Sequence, residues 1–475
     1  MKNIILNFLG KFFSGIFPIL LIPLYFNKLG AQEYAFIGIF QSLSIFLGLA
    51  QFGLGSFHLR LGALFKGNEI CKKEFFNLHF FSFIVVITSV LVLSLALLLF
   101  PYLLDELVSI DSTFEVTIFL LIFASSLRVV DNYTRSLFNG LEFFLEKNVI
   151  LILFSVLRWL GGFYLIDLGG IHYFFIWQIA LSFLHISLSE LIIFLKNKLE
   201  LNVASISELK NYFHKHRGFI FGLTFYSFIS ILSSQFDRLA LPFILSLDVY
   251  GLYIALVPFA LIFTTLFPVF INVLEPRLII SKSEKEFSKN LNKYSRLFFS
   301  IFIPVNIILI FNADFVLSLL RFDQTDLISL DISGLFRLLL ILGLVETFIQ
   351  IPHVILISKG YAGTISKINM VSFLLYILLF FLFFKAADIF ILTSFIIIKA
   401  LLSLFLLTYI CIKKNILIIS HRHVFDALFS SGLYLLISLV LHFIFTNNLI
   451  LILSLSLLFY FLFVIFEYKN FIKTE

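Results

Sequence analysis

An all-α protein that crosses the bilayer about fourteen times is the fold class this sequence predicts, and three observations predict it. The first is composition: of 475 residues, 61% are hydrophobic and 13% are charged, about half the charged share of a soluble domain. With a mean hydropathy of +1.08, the chain can build a large apolar core but has too few polar residues to cover it, so lipid must be its solvent. The second is segmentation into apolar stretches of roughly 18 to 26 residues, the length a helix needs to cross about 30 Å of hydrocarbon. The third is the charge of the connecting loops, which alternates in sign without losing phase.

The elements follow in chain order. The first span is expected over 4–26; Lys2 precedes it, Lys11 interrupts it and no small-residue cleavage pattern follows, so it reads as a retained helix and not a removable signal peptide. Further spans are expected at 35–58, 78–101, 114–138, 148–166 and 171–195. After a basic break come 219–245, 250–275, 297–319, 333–358, 363–384 and 389–412, then a final pair at 424–445 and 449–467. One alternating set of loops carries Lys66, Lys72, Lys73, Lys196, Lys198, Arg217, Arg277, Lys285, Lys413, Lys414 and Arg422. The other carries Asp105, Asp111, Asp167, Asp248, Asp323, Asp331 and Asp388, with only Lys28, Arg321 and Lys385 as basic residues. The basic set is expected inside, which puts both termini in the cytoplasm. Cys71 and Cys411 fall on that reducing side, so a disulfide is not expected, and neither metal-type cysteine spacing nor a phosphate-binding P-loop is present.

An internal repeat is visible in the same pattern. A shift of about 217 positions brings Pro23 near Pro242, Tyr34 near Tyr250, Arg60 onto Arg277 and Phe80-Phe81-Ser82 onto Phe298-Phe299-Ser300. The expected organisation is an N-terminal six-helix bundle at 1–195 and a cytoplasmic basic linker at 196–217, with Ser205–His216 as a short surface helix. A C-terminal six-helix bundle at 218–412 follows, then an extra helix pair and tail at 413–475. Equal orientation of the halves makes the repeat parallel, with its pseudo-axis along the membrane normal.

Charged residues inside spans are expensive in hydrocarbon and therefore point to function or to specific pairing. Arg128, Asn132 and Arg135 share one face of the fourth span, beside Asp131. The repeat shift carries that trio onto Glu346, Gln350 and His353 of the tenth span. Two readings stand: neutralised pairs that lock the bundle, or a hydrophilic central cavity between the halves. Lys11, Arg158, Arg238, Arg337 and Lys399 tilt the intramembrane balance positive against Asp131, Asp237, Glu346 and Glu275. Guanidinium keeps its charge and grips phosphate bidentately, so a cationic cavity suits a phosphate-bearing or acidic cargo. For Arg158, Arg337 and Lys399, packing against a carboxylate or snorkelling is the competing account. Asp131, Asp237 and Glu346 are the candidates for a coupling proton or sodium ion. Prolines 18, 23, 242, 258 and 268 and glycines 38, 48, 53 and 55 supply bends or close packing within spans.

Short motifs then carry a resemblance. Phe12-Phe13-Ser14-Gly15, Leu29-Gly30-Ala31-Gln32-Glu33-Tyr34, Ser234-Gln235-Phe236-Asp237-Arg238, Val249-Tyr250-Gly251-Leu252-Tyr253 and Glu275-Pro276-Arg277 resemble the polysaccharide (O-antigen, Wzx-type) flippases. These belong to the multidrug/oligosaccharidyl-lipid/polysaccharide (MOP) exporter superfamily. The resemblance implies two bundles that open alternately and move an undecaprenyl-pyrophosphate-linked oligosaccharide across the bacterial inner membrane, from the cytoplasmic to the periplasmic leaflet. It assigns Arg128, Arg135, Arg158, Arg238 and Arg337 to pyrophosphate or acidic sugar, and it implies a polysaccharide polymerase and chain-length machinery as partners. No cofactor, metal or nucleic acid is expected. A lipid-linked peptidoglycan-precursor flippase shares the fourteen-helix plan, whereas a multidrug exporter of the superfamily would have about twelve helices and an acidic or aromatic cavity. A membrane polymerase or glycosyltransferase, the alternative of a different class, would generally need a long external loop or an acidic pair near the membrane surface, and no external loop expected here exceeds roughly a dozen residues; His421-Arg422-His423 reads as a solvated turn. The expectation is a transporter and not an enzyme.

Overall fold

The structure is a computed structural model, and it describes residues 10, 12–103, 115–197, 224, 228–265, 278, 283–322, 331–383 and 388–414. The final helix pair, the Ser205–His216 helix, Lys11, Glu275-Pro276-Arg277 and His421–His423 lie outside the described residues. The chain forms two compact units, Met1–Ala255 and Leu256–Glu475. Every regular element among the described residues is helical, as an all-α polytopic membrane protein requires.

In the first unit a π-helical turn at Phe12–Ile16 leads into α1 (Phe17–Phe46), a 3-10 turn at Leu47–Gln51, α2 (Leu54–Lys66) and α3 (Lys72–Leu103). Then come α4 (Glu115–Gly140), α5 (Phe144–Val156), a second π-helical turn at Leu157–Gly161 and α6 (Gly162–Asn197). Two apolar helical stretches are far too long for one crossing: Phe12–Gln51 has 40 residues and Phe144–Asn197 has 54. At 1.5 Å per residue they would reach about 60 and 80 Å, twice the hydrocarbon thickness or more. Each is broken by a glycine that takes a left-handed backbone readily. Gly30 has φ 74° and Gly170 has φ 63°, so each stretch holds two of the expected spans. Beside both breaks Lys28 pairs with Asp167 at 2.7 Å and lies 4.1 Å above the Phe163 ring.

The core of this unit is aromatic. Tyr25, Phe174 and Phe175 are fully buried, and Tyr25 meets Trp159, Phe163 and Phe174 edge-on with centroids 5.5, 5.6 and 5.7 Å away, a geometry worth about 0.5–1.5 kcal/mol per pair. Its hydroxyl donates to the Trp159 carbonyl. Buried hydroxyls elsewhere donate back along their own helices, as Ser44 does to Phe40 O (2.6 Å) and Ser82 to Leu78 O (2.7 Å), which lets them sit in an apolar setting. Residues 228–240 are helical, and α7 (Leu247–Ala260) follows a 3-10 turn at Leu241–Phe243.

The second unit contains α8 (Glu284–Phe311), α9 (Ala313–Leu319), α10 (Ile332–Ser358), α11 (Ala362–Leu382) and α12 (Ile389–Lys413). Caps start these helices where the sequence turns polar. Ser283 accepts from Glu286 N at 3.2 Å, Asp331 from Gly334 N at 2.8 Å and Asp388 from Ile389 N at 2.6 Å. On the outer faces Val92, Tyr164, Leu382 and Phe405 are 63% to 69% exposed. Such residues would be a liability in water and are the natural surface toward lipid.

Candidate functional site

Asp131 stands at the centre of the site, in the buried half of α4, with no exposed surface. Helical spacing brings Arg128 and Arg135 alongside, three residues before and four after. Arg128 Nη1 lies 3.6 Å from Oδ2 and Arg135 Nε 3.7 Å from Oδ1. The third guanidinium comes from the π-helical turn after α5, where Arg158 Nη2 donates to Oδ2 at 2.8 Å. Arg158 is 2% exposed, its Nη1 donates to Ser182 Oγ at 3.1 Å, and Gln178 Nε2 donates to its carbonyl at 3.3 Å. His185 Nδ1 of α6 stands 2.7 Å from Asp131 Oδ1, and its ring stacks on Phe154 with centroids 4.4 Å apart. Three guanidiniums thus meet one carboxylate, and with His185 neutral the described cluster carries two surplus positive charges. The surplus sits on Arg128 and Arg135, which keep 29% and 20% of their side chains exposed.

A cavity of about 930 Å³ adjoins α4. Its polar lining is Ser44, Gln51, Thr88, Ser89, Asn132 and Thr224, and its glycines are Gly48, Gly53 and Gly55. Among the described residues no ionised side chain lines it. Asn132 connects cavity and cluster, because Arg135 Nη2 donates to Asn132 Oδ1. Gln51 ties the far wall to α4 by donating to Val129 O at 3.2 Å.

The other expected residues lie apart from this group. Asp237 is buried in the first unit and accepts from Tyr253 Oη at 3.0 Å. The neighbouring Arg238 is half-buried and its carbonyl accepts from Tyr250 Oη at 2.8 Å. In the second unit Arg337 is exposed and pairs with the exposed Asp314 at 2.5 Å, a geometry worth little. Glu346, Gln350 and His353 are half-buried along one stripe of α10. Sequence reasoning missed His185, Ser182 and Gln178, as well as His58, His79 and Glu190, which join in a second buried chain. All four titratable members of these groups fall within or at the edge of apolar spans. A search extended from Arg and Asp to histidine and to span ends would have flagged them.

No protein-family model matches the sequence, and no curated protein matches it. Solved structures do. An inward-facing multidrug resistance MATE-family transporter of the MOP superfamily superposes with a TM-score of 0.63 at 12% identity, over 85% of this chain and 92% of its own. The lipid II flippase MurJ in an inward closed conformation gives 0.62 at 17% identity over 99% of each chain. A MOP-superfamily transporter from Pyrococcus furiosus gives 0.53 at 13% identity, over 86% and 94%. The fold is that of the MOP-superfamily transporters. The chain is a multi-pass membrane protein.

Proposed function

We propose that this protein is a flippase for an anionic lipid-linked oligosaccharide, moving undecaprenyl-pyrophosphate-linked repeat units of O-antigen or capsule type from the cytoplasmic to the periplasmic leaflet of a bacterial inner membrane. The observation that carries this reading is the surplus of two positive charges around Asp131. Uncompensated guanidinium is costly inside a bilayer, and an incoming pyrophosphate would offset it through bidentate, charge-assisted hydrogen bonds. Arg128 and Arg135 are the accessible pair for that contact. The adjoining cavity, lined among the described residues by hydroxyl and amide groups and no ionised side chain, has the chemistry to receive sugar hydroxyls. Alternating opening of the two halves, 1–195 and 218–412, would then carry the bound head group across.

The whole-length match to the lipid II flippase, against 85% for the MATE-family transporter, supports a flippase plan. A lipid-linked peptidoglycan precursor presents the same pyrophosphate and sugar chemistry, so it is the second reading. A cationic drug would be repelled by the arginine cluster. The test is to deplete the protein in its host and locate lipid-linked oligosaccharides. Repeat units retained on the cytoplasmic leaflet with loss of surface polymer are the expected result. Normal arrival of the units at the periplasmic leaflet would overturn the reading. Accumulation of peptidoglycan precursor instead would select the second.

A further inference from the structure

We propose that Phe52 is a stacking platform for a pyranose ring of the cargo, and so a specificity-determining residue of the cavity beside α4; this rests on the flippase reading above and deepens it. The observation is a backbone conformation that glycine takes freely and phenylalanine does not. Phe52 closes the 3-10 turn at Leu47–Gln51 with φ 47° and ψ 42°, in the left-handed region. A large side chain is strained there because its Cβ crowds the carbonyl that follows. Gly53 comes next with φ 70°, and a glycine or asparagine at position 52 would close the turn without strain.

Backbone strain of this kind persists where the side chain has a task, and it gathers at ligand sites. The other non-glycine residues with positive φ among the described residues are Asn68, Glu142 and Arg321, all polar and all in turns that follow a helix. Packing does not offset the strain at Phe52. The residue is 48% exposed, and among the described residues its ring meets no other ring, unlike Tyr25 and Phe174. Contact with lipid does not account for it either, since Tyr164 and Phe405 turn to the outside from regular helix. Phe52 instead lines the cavity. Phe46 and Phe228 line it too, but both keep a helical backbone.

The polar groups around the ring fit the same occupant. Gln51 Nε2 is held by Val129 O at 3.2 Å, which leaves Oε1 as an acceptor. That oxygen lies against Gly55, where an added Cβ would come within 2.9 Å of it. Asn132 is exposed and its Oδ1 accepts from Arg135, which leaves Nδ2 as a donor. A pyranose matches this set: hydroxyls on its edge for the two amides, and C–H groups on its face for the aromatic ring. Those C–H groups carry slight positive charge and the face of a phenyl ring slight negative charge, so the two attract without any ionised group. Because Asn132 is bonded to Arg135, a ring seated here belongs next to a phosphate on the accessible arginines.

Saturation-transfer NMR on the full-length protein in lipid nanodiscs tests the platform without transport. The probes are the 1-phosphates of glucose, galactose, mannose and N-acetylglucosamine, with glycerol 1-phosphate as a control that has no ring. Irradiating the protein's aromatic protons should saturate the C–H groups on one face of at least one sugar most strongly. That sugar phosphate should bind about fivefold or more tighter than glycerol 1-phosphate. Phe52→Leu keeps apolar bulk and Phe52→Asn accepts the left-handed backbone; each should lose the facial pattern and bring the two affinities together. Phe52→Trp should keep both. Phe52→Gly should melt at or above the wild-type temperature, because strain is relieved and little packing is lost. No facial saturation of any of the sugars, a wild-type pattern in Phe52→Leu or Phe52→Asn, or a sharp fall in the melting temperature of Phe52→Gly would each overturn the proposal. The measurement needs no transport, so its failure leaves the flippase reading standing. Normal arrival of repeat units in depleted cells would sink the flippase reading without altering the spectra.

Discussion

Asp131 and Arg158 show what burial does to a single ion pair. Both side chains are almost wholly removed from the surface, so removing the carboxylate leaves a guanidinium with nothing to offset its charge. Loss of one partner of such a pair costs about 3–5 kcal/mol. Asp131→Ala should therefore lower the melting temperature in detergent sharply, and followed by fluorescence-detected size exclusion it should be the most destabilised variant of the cluster. Arg128→Gln and Arg135→Gln should differ in kind. Their side chains are partly exposed and their distances to Asp131 are longer, so the protein should fold with a melting temperature near that of the wild type. Repeat-unit flipping in complemented cells should fall about tenfold or more, because a charge-assisted contact to the cargo is lost. If both variants flip normally, the accessible arginines do not touch the anion.

At the scale of elements, the helices are positioned by backbone contacts that admit no side chain. Gly62 of α2 and Gly140 of α4 cross so closely that a Cβ on Gly62 would come within 3.0 Å of the Gly140 Cα, and one on Gly140 would collide with the Leu59 carbonyl. Gly343 of α10 meets the Ala260 carbonyl in the same way. Such crossings pack membrane helices where no hydrophobic effect separates protein from lipid. Gly140→Ala should thus destabilise by about 1–3 kcal/mol through overpacking. Gly363→Ala, at an exposed helical position with open space around it, should be neutral or stabilising by up to about 1 kcal/mol. Equal melting temperatures for the two variants would show that the α2–α4 crossing is not tight. None of these crossings could be read from spacing, since glycine is frequent throughout membrane helices; the two breaks at Gly30 and Gly170 were legible as span ends because length demanded them.

For the whole molecule, loop charge makes a topological prediction that labelling can check. Cys71 lies in a basic loop and is exposed, while Cys411 is buried. A membrane-impermeant thiol reagent should modify Cys71 in inverted vesicles at least about tenfold faster than in spheroplasts, and should leave Cys411 unreacted in both. Faster labelling from the periplasmic side would reverse the orientation. Lys28, one of three basic residues in the acidic loops, is consistent with the same plan because it is matched by Asp167.

What the sequence determined by itself was the class of solvent, the succession of spans, the expected orientation and the presence of ionisable groups in apolar stretches. Those properties follow from composition and from the fixed rise of a helix, which act locally. The tertiary structure decided which of those groups meet. Arg128, Asn132, Arg135 and Asp131 were legible together because they share one helix, where periodicity sets neighbours. Arg158 and His185 reach the same carboxylate from elements 27 and 54 positions along the chain, and Glu190, His79 and His58 come from three separate helices. Side chains that meet only when helices pack leave no periodic trace, because the crossing is set by shape and close contact between elements and not by spacing within any one of them.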